Sequence, residues 1–228
     1  MSLRPGELFT DVKHIELGMR QAAERGYAFV PIGISAAGLQ ELESEVSQLD
    51  LELGDHIRQP IYPGTKRQIT QLHERAYFPI GDIHVPVATF VTDALAAQTA
   101  ALRNAYPELA GWRTNEAGYQ LYRDPKHHIS KHRDRRNDRL LAATITIRGA
   151  ARIGIHEAVD DPDDYTNTRQ LDDFLAPAGT IMFLRAPGLG SGEQVIHDVG
   201  PPQDGPRLIL NLRMRPDILP GPSETAFV

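Results

Sequence analysis

The stretch RLILNLRMR, residues 207–215, alternates between two kinds of side chain with a period of two. Because successive side chains of a strand point to opposite faces, this pattern predicts a strand with one apolar and one mostly polar, cationic face. The cationic face is explained either by exposure to solvent or by a cavity that takes an anion. The even positions carry Leu208, Leu210, Leu212 and Met214, and the odd positions carry Arg207, Ile209, Asn211, Arg213 and Arg215.

Other short strands are predicted after Trp112. They are rich in Val, Ile, Thr, Tyr and Phe, and Gly, Pro and Asp separate them: EAGYQLYRD, LLAATITIRG, ARIGIHE, DDFLAPAGTIMFLRAPG and EQVIHDVG. Such a series is typical of a β-sandwich or barrel. With helices preceding the strands, the chain predicts an α+β fold in which helices support one face of a mostly antiparallel sheet.

Three helices are predicted in the first half of the chain. The first runs through TDVKHIELGMRQAAER and closes near Gly26, before a short strand at residues 27–31. Ser35 is expected to cap the second, AAGLQELESEVSQL, and the third crosses VATFVTDALAAQTAALRNAY. Residues 51–84 contain scattered Pro and Gly and are expected to wander along the surface. Together with residues 156–172, they are expected to form lid and substrate-recognition segments.

Composition bounds the domain organisation and the function. The 228 residues predict one domain, with a mainly helical part at 1–110, a strand-rich core at 111–216 and a tail at 217–228. The absence of cysteine excludes disulfides and thiolate metal sites and makes a cytoplasmic location the default. No apolar run is long enough to span a bilayer, so we expect no membrane partner. The net charge of −6 argues against a nucleic-acid-binding surface.

The charged run KHRDRRNDR, residues 131–139, is typical of a solvated loop. It also places His132 and Asp134 two residues apart, on one side of an extended segment. With a distant histidine they would form a 2-His-1-carboxylate triad, which leaves three positions of an octahedral iron open. A second His-x-acid pair, His14 and Glu16, lies in a predicted helix without strands near it, and we discount it.

The downstream segment IHDVGPPQDGPR offers the missing histidine. His197 follows a strand-like run and precedes a Gly-Pro turn, and Arg207 opens the last strand ten residues later. A dicarboxylate that chelates iron at one end needs a cation at the other, and arginine supplies a planar bidentate fork.

These motifs resemble those of the Fe(II)/2-oxoglutarate-dependent oxygenase superfamily, in particular its phytanoyl-hydroxylase-like and AlkB-like members. The match covers residues 115–216 and consists of HRD, then LAPAGTIMFL, then HDVGPPQDGPR. The resemblance implies a double-stranded β-helix (a cupin-like jelly roll) with supporting N-terminal helices. It also implies Fe(II) bound by His132, Asp134 and His197, with O₂ and 2-oxoglutarate as cosubstrates.

The resemblance further implies contacts with 2-oxoglutarate. Tyr122 and Gln120 alternate on the strand GYQLYRDP, where similar families place an Asn-x-Tyr pair that reaches the cosubstrate. Asn211 and Arg215 fit part of the AlkB-like ending Arg-x-Asn-x-x-x-Arg, whose first arginine is missing here. Arg207 is therefore our first choice for binding the far carboxylate, and Arg215 is the second.

As for the reaction, the resemblance implies oxidation of a small molecule, an amino acid or secondary metabolite, with release of succinate and CO₂. Asp134 stands where the family's halogenases have Gly or Ala, which favours hydroxylation; desaturation and ring formation stay open. Arg135 and Arg136, at the mouth of the site, are expected to meet a negatively charged substrate, if any. The alternatives are a nucleic-acid- or protein-directed oxygenase and a non-catalytic, cupin-like metal-binding protein.

Overall fold

The computed structural model describes residues 4–49 and 62–216. Within these ranges the helices are α1 (Pro5–Leu8), α2 (Val12–Arg25), α3 (Ala36–Gln48) and α4 (Pro86–Gln98), with short 3₁₀ turns at Thr99–Leu102 and Pro107–Gly111. The strands are β1 (Tyr27–Val30), β2 (Glu74–Pro79), β3 (Glu116–Tyr122), β4 (Ile129–His132), β5 (Leu141–Ala158), β6 (Thr168–Pro177), β7 (Ile181–Arg185) and β8 (Ile196–Arg213).

The two longest strands, β5 and β8, pair antiparallel almost from end to end. The first half of β5 and the second half of β8 belong to a main sheet with the order β1-β7-β5-β8-β3-β2. The second half of β5 pairs with β6, and the first half of β8 pairs with β4. We call β4, β6 and these two half-strands the second layer. The register between β5 and β8 shifts three times where one part passes into the other, between residues 146 and 153.

The second layer packs over one face of the main sheet. Apolar side chains from both parts form two buried clusters between them, one containing Ile153 and Met182 and the other Tyr122 and Val199. Residues directly opposite on paired strands share a face, so Tyr122 and its partner Arg207 both point into this interlayer space. The polar face predicted for residues 207–215 is therefore an interior face.

The helices cover the opposite face of the main sheet. Leu208, Leu210 and Leu212 join the core cluster that contains residues of all four helices, which confirms the predicted apolar face. Helix α2 approaches the sheet closely at Gly18, where a Cβ atom would lie 2.4 Å from a Val30 methyl group. The predicted caps are also confirmed: Gly26 ends α2 with φ of 97°, and the Ser35 hydroxyl accepts from Gly38 N–H at 3.0 Å.

Glu45, a buried acidic residue of α3, caps helix α4. The residue before α4 is Val85, which offers no side-chain cap, so the first amides of α4 need another acceptor. The Glu45 carboxylate accepts from the Val87 N–H and, at 3.2 Å, from the Ala88 N–H. It also accepts from the hydroxyl of Tyr119 on β3. One carboxylate thereby links two helices to the main sheet.

Residues 51–84 were expected to run irregularly along the surface, and for the described residues 69–79 this prediction is wrong. Ile69 is buried, Gln71 bridges to Ile129, and β2 pairs with β3 along six residues. Strand β2 lies at the sheet edge, where a proline such as Pro79 costs little. The part of the prediction that falls on residues 51–61 lies outside the described residues.

Three other predicted boundaries also differ from the structure. Residues 156–158 and 168–172 belong to β5 and β6, and the irregular connection is limited to 159–167. Helix α4 ends at Gln98, so the predicted third helix is too long. The Gly-Pro turn predicted after His197 does not end the strand, because the prolines of β8 lie beside register shifts where few ladder hydrogen bonds are lost. None of the helices in the described ranges has the length and apolar character needed to cross a membrane.

We expect Glu45→Ala to lower the free energy of unfolding by about 3 kcal/mol, because it strands two amides and a hydroxyl in the interior, and each unmet group costs about 1–3 kcal/mol. Denaturant titration measures the change. The control is Glu43→Ala on the same helix, which breaks the exposed ion pair with Arg148 and should cost no more than about 1 kcal/mol. Equal losses in both variants would contradict the capping role.

Candidate metal centre

His132, Asp134 and His197 meet at one point of the interlayer space. His132, the last residue of β4, lies directly opposite His197 on β8, and their ring centroids are 4.1 Å apart. Asp134 follows two residues after β4, and one ligand atom from each residue lies within 4.8 Å of the others. We call these residues the triad; it is the one such cluster of possible metal ligands in the part of the chain that the structure describes.

The free atoms of the triad fit a cation. Nδ1 of His132 lies 2.8 Å from the Ser130 carbonyl oxygen, to which it donates, so that Nε2 is left with its lone pair. The Asp134 Oδ2 is buried and has no hydrogen-bond partner among the described residues. Two imidazole nitrogens and one carboxylate oxygen form the donor set of non-haem Fe(II) oxygenases, so the residues present fit iron.

The triad is also in the protonation state that a metal requires. Burial lowers the pKa of His132, and burial together with the nearby His132 ring lowers that of His197 to about 3. Burial alone would raise the pKa of Asp134, but Arg213 and the two histidines hold it below its ordinary value. Both imidazoles are therefore neutral and the carboxylate is ionised at neutral pH, so no proton has to leave before a metal binds.

Arg213 connects Asp134 to a second buried acid that the sequence analysis did not assign to the site. Its Nη2 donates to Asp134 Oδ1 at 3.2 Å, and its Nε lies 3.5 Å from Asp138 Oδ2. Burial raises the pKa of Asp138 to about 6, with Arg213 opposing the rise and Asp134 adding to it. The strand alternation already placed Arg213 on the polar face; nothing in the charged run singled out Asp138.

Arg207 is buried without an acidic partner. It is 1% exposed, and its Nη2 donates to Thr146 Oγ1 at 3.1 Å. Among the described residues, its Nε and Nη1 have no hydrogen-bond partner and no carboxylate forms an ion pair with it. Burial lowers its pKa to about 10, with Tyr122 acting in the opposite direction, so the guanidinium is still cationic at neutral pH. Such a group is expensive to bury unless an anion joins it.

The other proposed cosubstrate contacts surround Arg207. The hydroxyl of Tyr122 donates to Gln120 Oε1 at 3.1 Å, and Gln120 Nε2 donates to the Tyr77 hydroxyl at 3.3 Å. Asn211 Oδ1 accepts from the hydroxyl of Thr144 at 2.6 Å. These side chains lie on the same interior face, so the structure brings Gln120, Tyr122 and Asn211 together with Arg207.

The remaining predicted arginines lie in different surroundings. Arg215 follows the end of β8, and its Nη1 lies 3.0 Å from Glu116 Oε2, so this guanidinium has an acidic partner within the chain. Arg135 and Arg136 are exposed, and Arg136 forms a loose ion pair with Asp163. Arg135 is near enough to lower the pKa of Asp134. A substrate contact for either exposed residue stays a prediction.

Solved structures with this fold include prolyl hydroxylases and an alpha ketoglutarate dependent epimerase. A prolyl-4-hydroxylase of Pseudomonas putida superposes with a TM-score of 0.56 at 16% identity, over 88% of this chain and 98% of its own. A prolyl hydroxylase of Trichoplax adhaerens, solved with a hypoxia inducible factor peptide fragment, gives 0.59 at 9% identity over 90% of both chains. The non-heme alpha ketoglutarate dependent epimerase SnoN of nogalamycin biosynthesis gives 0.59 at 16% identity, over 96% and 94%.

SnoN has also been solved in complex with Fe³⁺, alpha ketoglutarate and nogalamycin RO, and that structure superposes with a TM-score of 0.58. No protein-family model matches the sequence, and no curated protein matches it either. At these identities the likeness shows the fold. The chain has the fold of 2-oxoglutarate and Fe(II) oxygenases, a mostly antiparallel sheet with N-terminal helices, which confirms the sequence resemblance at that level.

We expect His132→Ala, Asp134→Ala and His197→Ala each to weaken Fe(II) binding by more than about 100-fold, since even outer-shell partners of a metal are worth 10–100-fold. Anaerobic metal titration with elemental analysis measures the loss. The matched control is His14→Ala, which removes the histidine of the other His-x-acid pair and should leave binding unchanged. A triad variant with normal metal affinity would exclude that residue as a ligand.

Asp138→Asn should raise the melting temperature at pH 7.5, and the gain should shrink at pH 5. The folded-state pKa of Asp138, about 6, lies above the value of about 3.9 in an unfolded chain. Its contribution to stability is therefore full below pH 4 and is lost as the pH rises through 6. Thermal unfolding of the metal-free protein across this range tests the sign; a variant less stable than wild type at pH 7.5 would contradict it.

Proposed function

We propose that this chain is a non-haem Fe(II)- and 2-oxoglutarate-dependent dioxygenase that hydroxylates a small molecule in the cytoplasm and releases succinate and CO₂. The observation that carries the proposal is the pairing of two unsatisfied features in one interior space. The triad presents ligand atoms without partners, and Arg207 presents a cation without an acid. 2-Oxoglutarate meets both needs, because its keto-acid end chelates a metal while its other carboxylate is free to bind a guanidinium.

The site offers separate residues to iron and to 2-oxoglutarate. His132, Asp134 and His197 would hold the iron, and Arg207 with the Thr146 hydroxyl would hold the far carboxylate of 2-oxoglutarate. Iron with its cosubstrate supplies oxidising power that no side chain has. The residues of this chain bind and orient: Arg213 fixes Asp134 Oδ1, which leaves Oδ2 for the metal.

The fold supports this assignment. The shared β5 and β8 strands, the two facing layers and the helices behind the main sheet are what a double-stranded β-helix with N-terminal supports requires, and we propose that architecture for residues 111–216. The sheet positions one ligand histidine and the arginine on the same strand, β8. His197 and Arg207 both belong to β8, so the pairing of β8 with β5 fixes the distance between them.

Hydroxylation is the outcome that Asp134 favours, because its carboxylate fills the ligand position that a Gly or Ala at this place would leave to a halide. A small-molecule substrate is favoured by likeness to SnoN and to the carbocyclase SnoK of the same pathway, which superposes with a TM-score of 0.54 at 14% identity. The net charge of −6 opposes a nucleic-acid substrate. One observation favours a second candidate, a peptide-directed hydroxylase: two of the similar structures are prolyl hydroxylases, one solved with a peptide fragment.

Succinate release separates these candidates from a non-catalytic binding protein. The Fe(II)-loaded protein, given 2-oxoglutarate and oxygen, should release succinate above its uncoupled background when a pool of small metabolites is added, and not when proline-containing peptides are added. The reverse result would support the peptide-directed candidate. Absence of succinate under every condition, with Fe(II) and 2-oxoglutarate bound, would leave the binding-protein alternative.

We expect Arg207→Met to weaken 2-oxoglutarate binding to the Mn(II)-loaded protein by roughly 30-fold or more, because the loss of one partner of a buried charge pair costs about 2–5 kcal/mol. Isothermal titration measures the affinity. The melting temperature of the metal-free variant should not fall, because an unpaired buried charge is replaced by an apolar chain of similar size.

Arg215→Met is the matched control for Arg207→Met. It removes an arginine that already has an acidic partner, Glu116, and should leave 2-oxoglutarate affinity within about threefold, or about 0.7 kcal/mol. A large loss in Arg215→Met and none in Arg207→Met would reverse the assignment. No loss in either variant would contradict the cosubstrate site.

A further inference from the structure

The segment before β2 closes one side of the interlayer space. Gln71 bridges to Ile129 of β4, and the Leu72 N–H donates to the His128 carbonyl oxygen at 2.9 Å. Two residues later, Glu74 already pairs with Leu121 of the main sheet. The chain therefore crosses from the second layer to the main sheet within these few residues, and His73 lies at the crossing point.

His73 is buried with unmet hydrogen-bonding groups. It is 3% exposed, and neither Nδ1 nor Nε2 has a hydrogen-bond partner among the residues that the structure describes. A neutral imidazole carries one N–H donor and one acceptor nitrogen. Buried polar groups are nearly always paired in native proteins, so an imidazole with two unpaired nitrogens indicates a missing partner.

The neighbours of His73 belong to the proposed cosubstrate site. Its ring stacks on Tyr122 with 5.3 Å between the ring centroids, and the Arg207 Cζ lies 5.5 Å from the centroid of the same Tyr122 ring. Burial, followed by the charges of Arg75, His127 and His132, lowers the pKa of His73 to about 3. The His73 imidazole is therefore uncharged at neutral pH and has one N–H group to donate.

The surroundings favour an anion as the missing partner. Three described cationic side chains face this part of the interior: Arg207, Arg213 and, opposite Gln120 on β2, Arg75. Arg213 is matched by acids of the chain, whereas Arg207 has no acidic partner among the described residues. A carboxylate oxygen accepts hydrogen bonds and donates none, so it fits both the free N–H of His73 and the free N–H groups of Arg207.

We propose that His73 is a cosubstrate-binding residue, whose ring N–H donates a hydrogen bond to a carboxylate oxygen of 2-oxoglutarate beside Arg207. This inference rests on the proposed function. His73 belongs to the segment before β2, which closes one side of the interlayer space. Its N–H would add a hydrogen-bond donor to the donors that the strands provide.

The test replaces His73 with Phe, which keeps an aromatic ring against Tyr122 and removes both nitrogens. Titration of the Mn(II)-loaded protein with 2-oxoglutarate should show affinity about tenfold weaker than wild type, the order expected for a lost hydrogen bond to a charged group. His73→Gln, which restores an N–H donor, should recover affinity to within about threefold of wild type, or about 0.7 kcal/mol. His84→Phe makes the same change at an exposed site and should have no effect.

The outcomes separate this inference from the proposed function. Normal 2-oxoglutarate affinity in His73→Phe, or equal losses in His73→Phe and His73→Gln, would overturn the role of His73 while wild type and Arg207→Met still report the cosubstrate site. A rise confined to the KM of the primary substrate would also overturn it. Failure of wild type to bind 2-oxoglutarate would instead overturn the proposed function, and this inference with it.

A measurement on the wild-type protein covers the case in which His73→Phe does not fold. In the Zn(II)-loaded protein, 2-oxoglutarate should slow hydrogen exchange of the His73 ring N–H and shift its nitrogen resonance, assigned by its loss in His73→Gln. An unchanged His73 resonance at saturating 2-oxoglutarate would overturn the proposal.

Discussion

The pairing of β5 with β8 is the contact on which the rest of the molecule depends. These strands belong to both layers, so their mutual register decides how the two layers face each other. It also decides where one half of β8 places His197 and where the other half places Arg207. The passage between the halves requires Gly149, whose φ is 71° and where a Cβ atom would lie 2.6 Å from the Pro206 carbonyl oxygen.

Charge in the interlayer space is unevenly matched. Arg213 lies between two acids, Asp134 and Asp138, whereas Arg207 has none among the described residues. Arg207 is therefore a buried cation without an acid among the described residues, and the triad offers ligand atoms to a cation. Both conditions lower the stability of the protein without ligands, as is common where a site is prepared for function. A metal together with a dianionic chelator would satisfy both.

The sequence predicts the local parts of this arrangement better than the distant contacts. The two-residue alternation around Arg207 identified both faces of the last strand, because side-chain direction depends only on position along a strand. The His-x-Asp spacing identified two members of the cluster for the same local reason. The sequence analysis did not predict strand β2 or the place of His73. The segment ERAYFP has no alternation of polar and apolar side chains, and it forms a strand by pairing with β3. Asp138 was not predicted either, because its place beside the metal centre depends on its ion pair with Arg213, which is distant in sequence.

A crystal structure of the protein grown with Mn(II) and 2-oxoglutarate in the absence of oxygen tests the central claim most directly. The account predicts one metal ion bound by His132, Asp134 and His197, with the far carboxylate of 2-oxoglutarate paired with the guanidinium of Arg207. A carboxylate bound instead to Arg215, or a metal ion at another place with the triad empty, would contradict it.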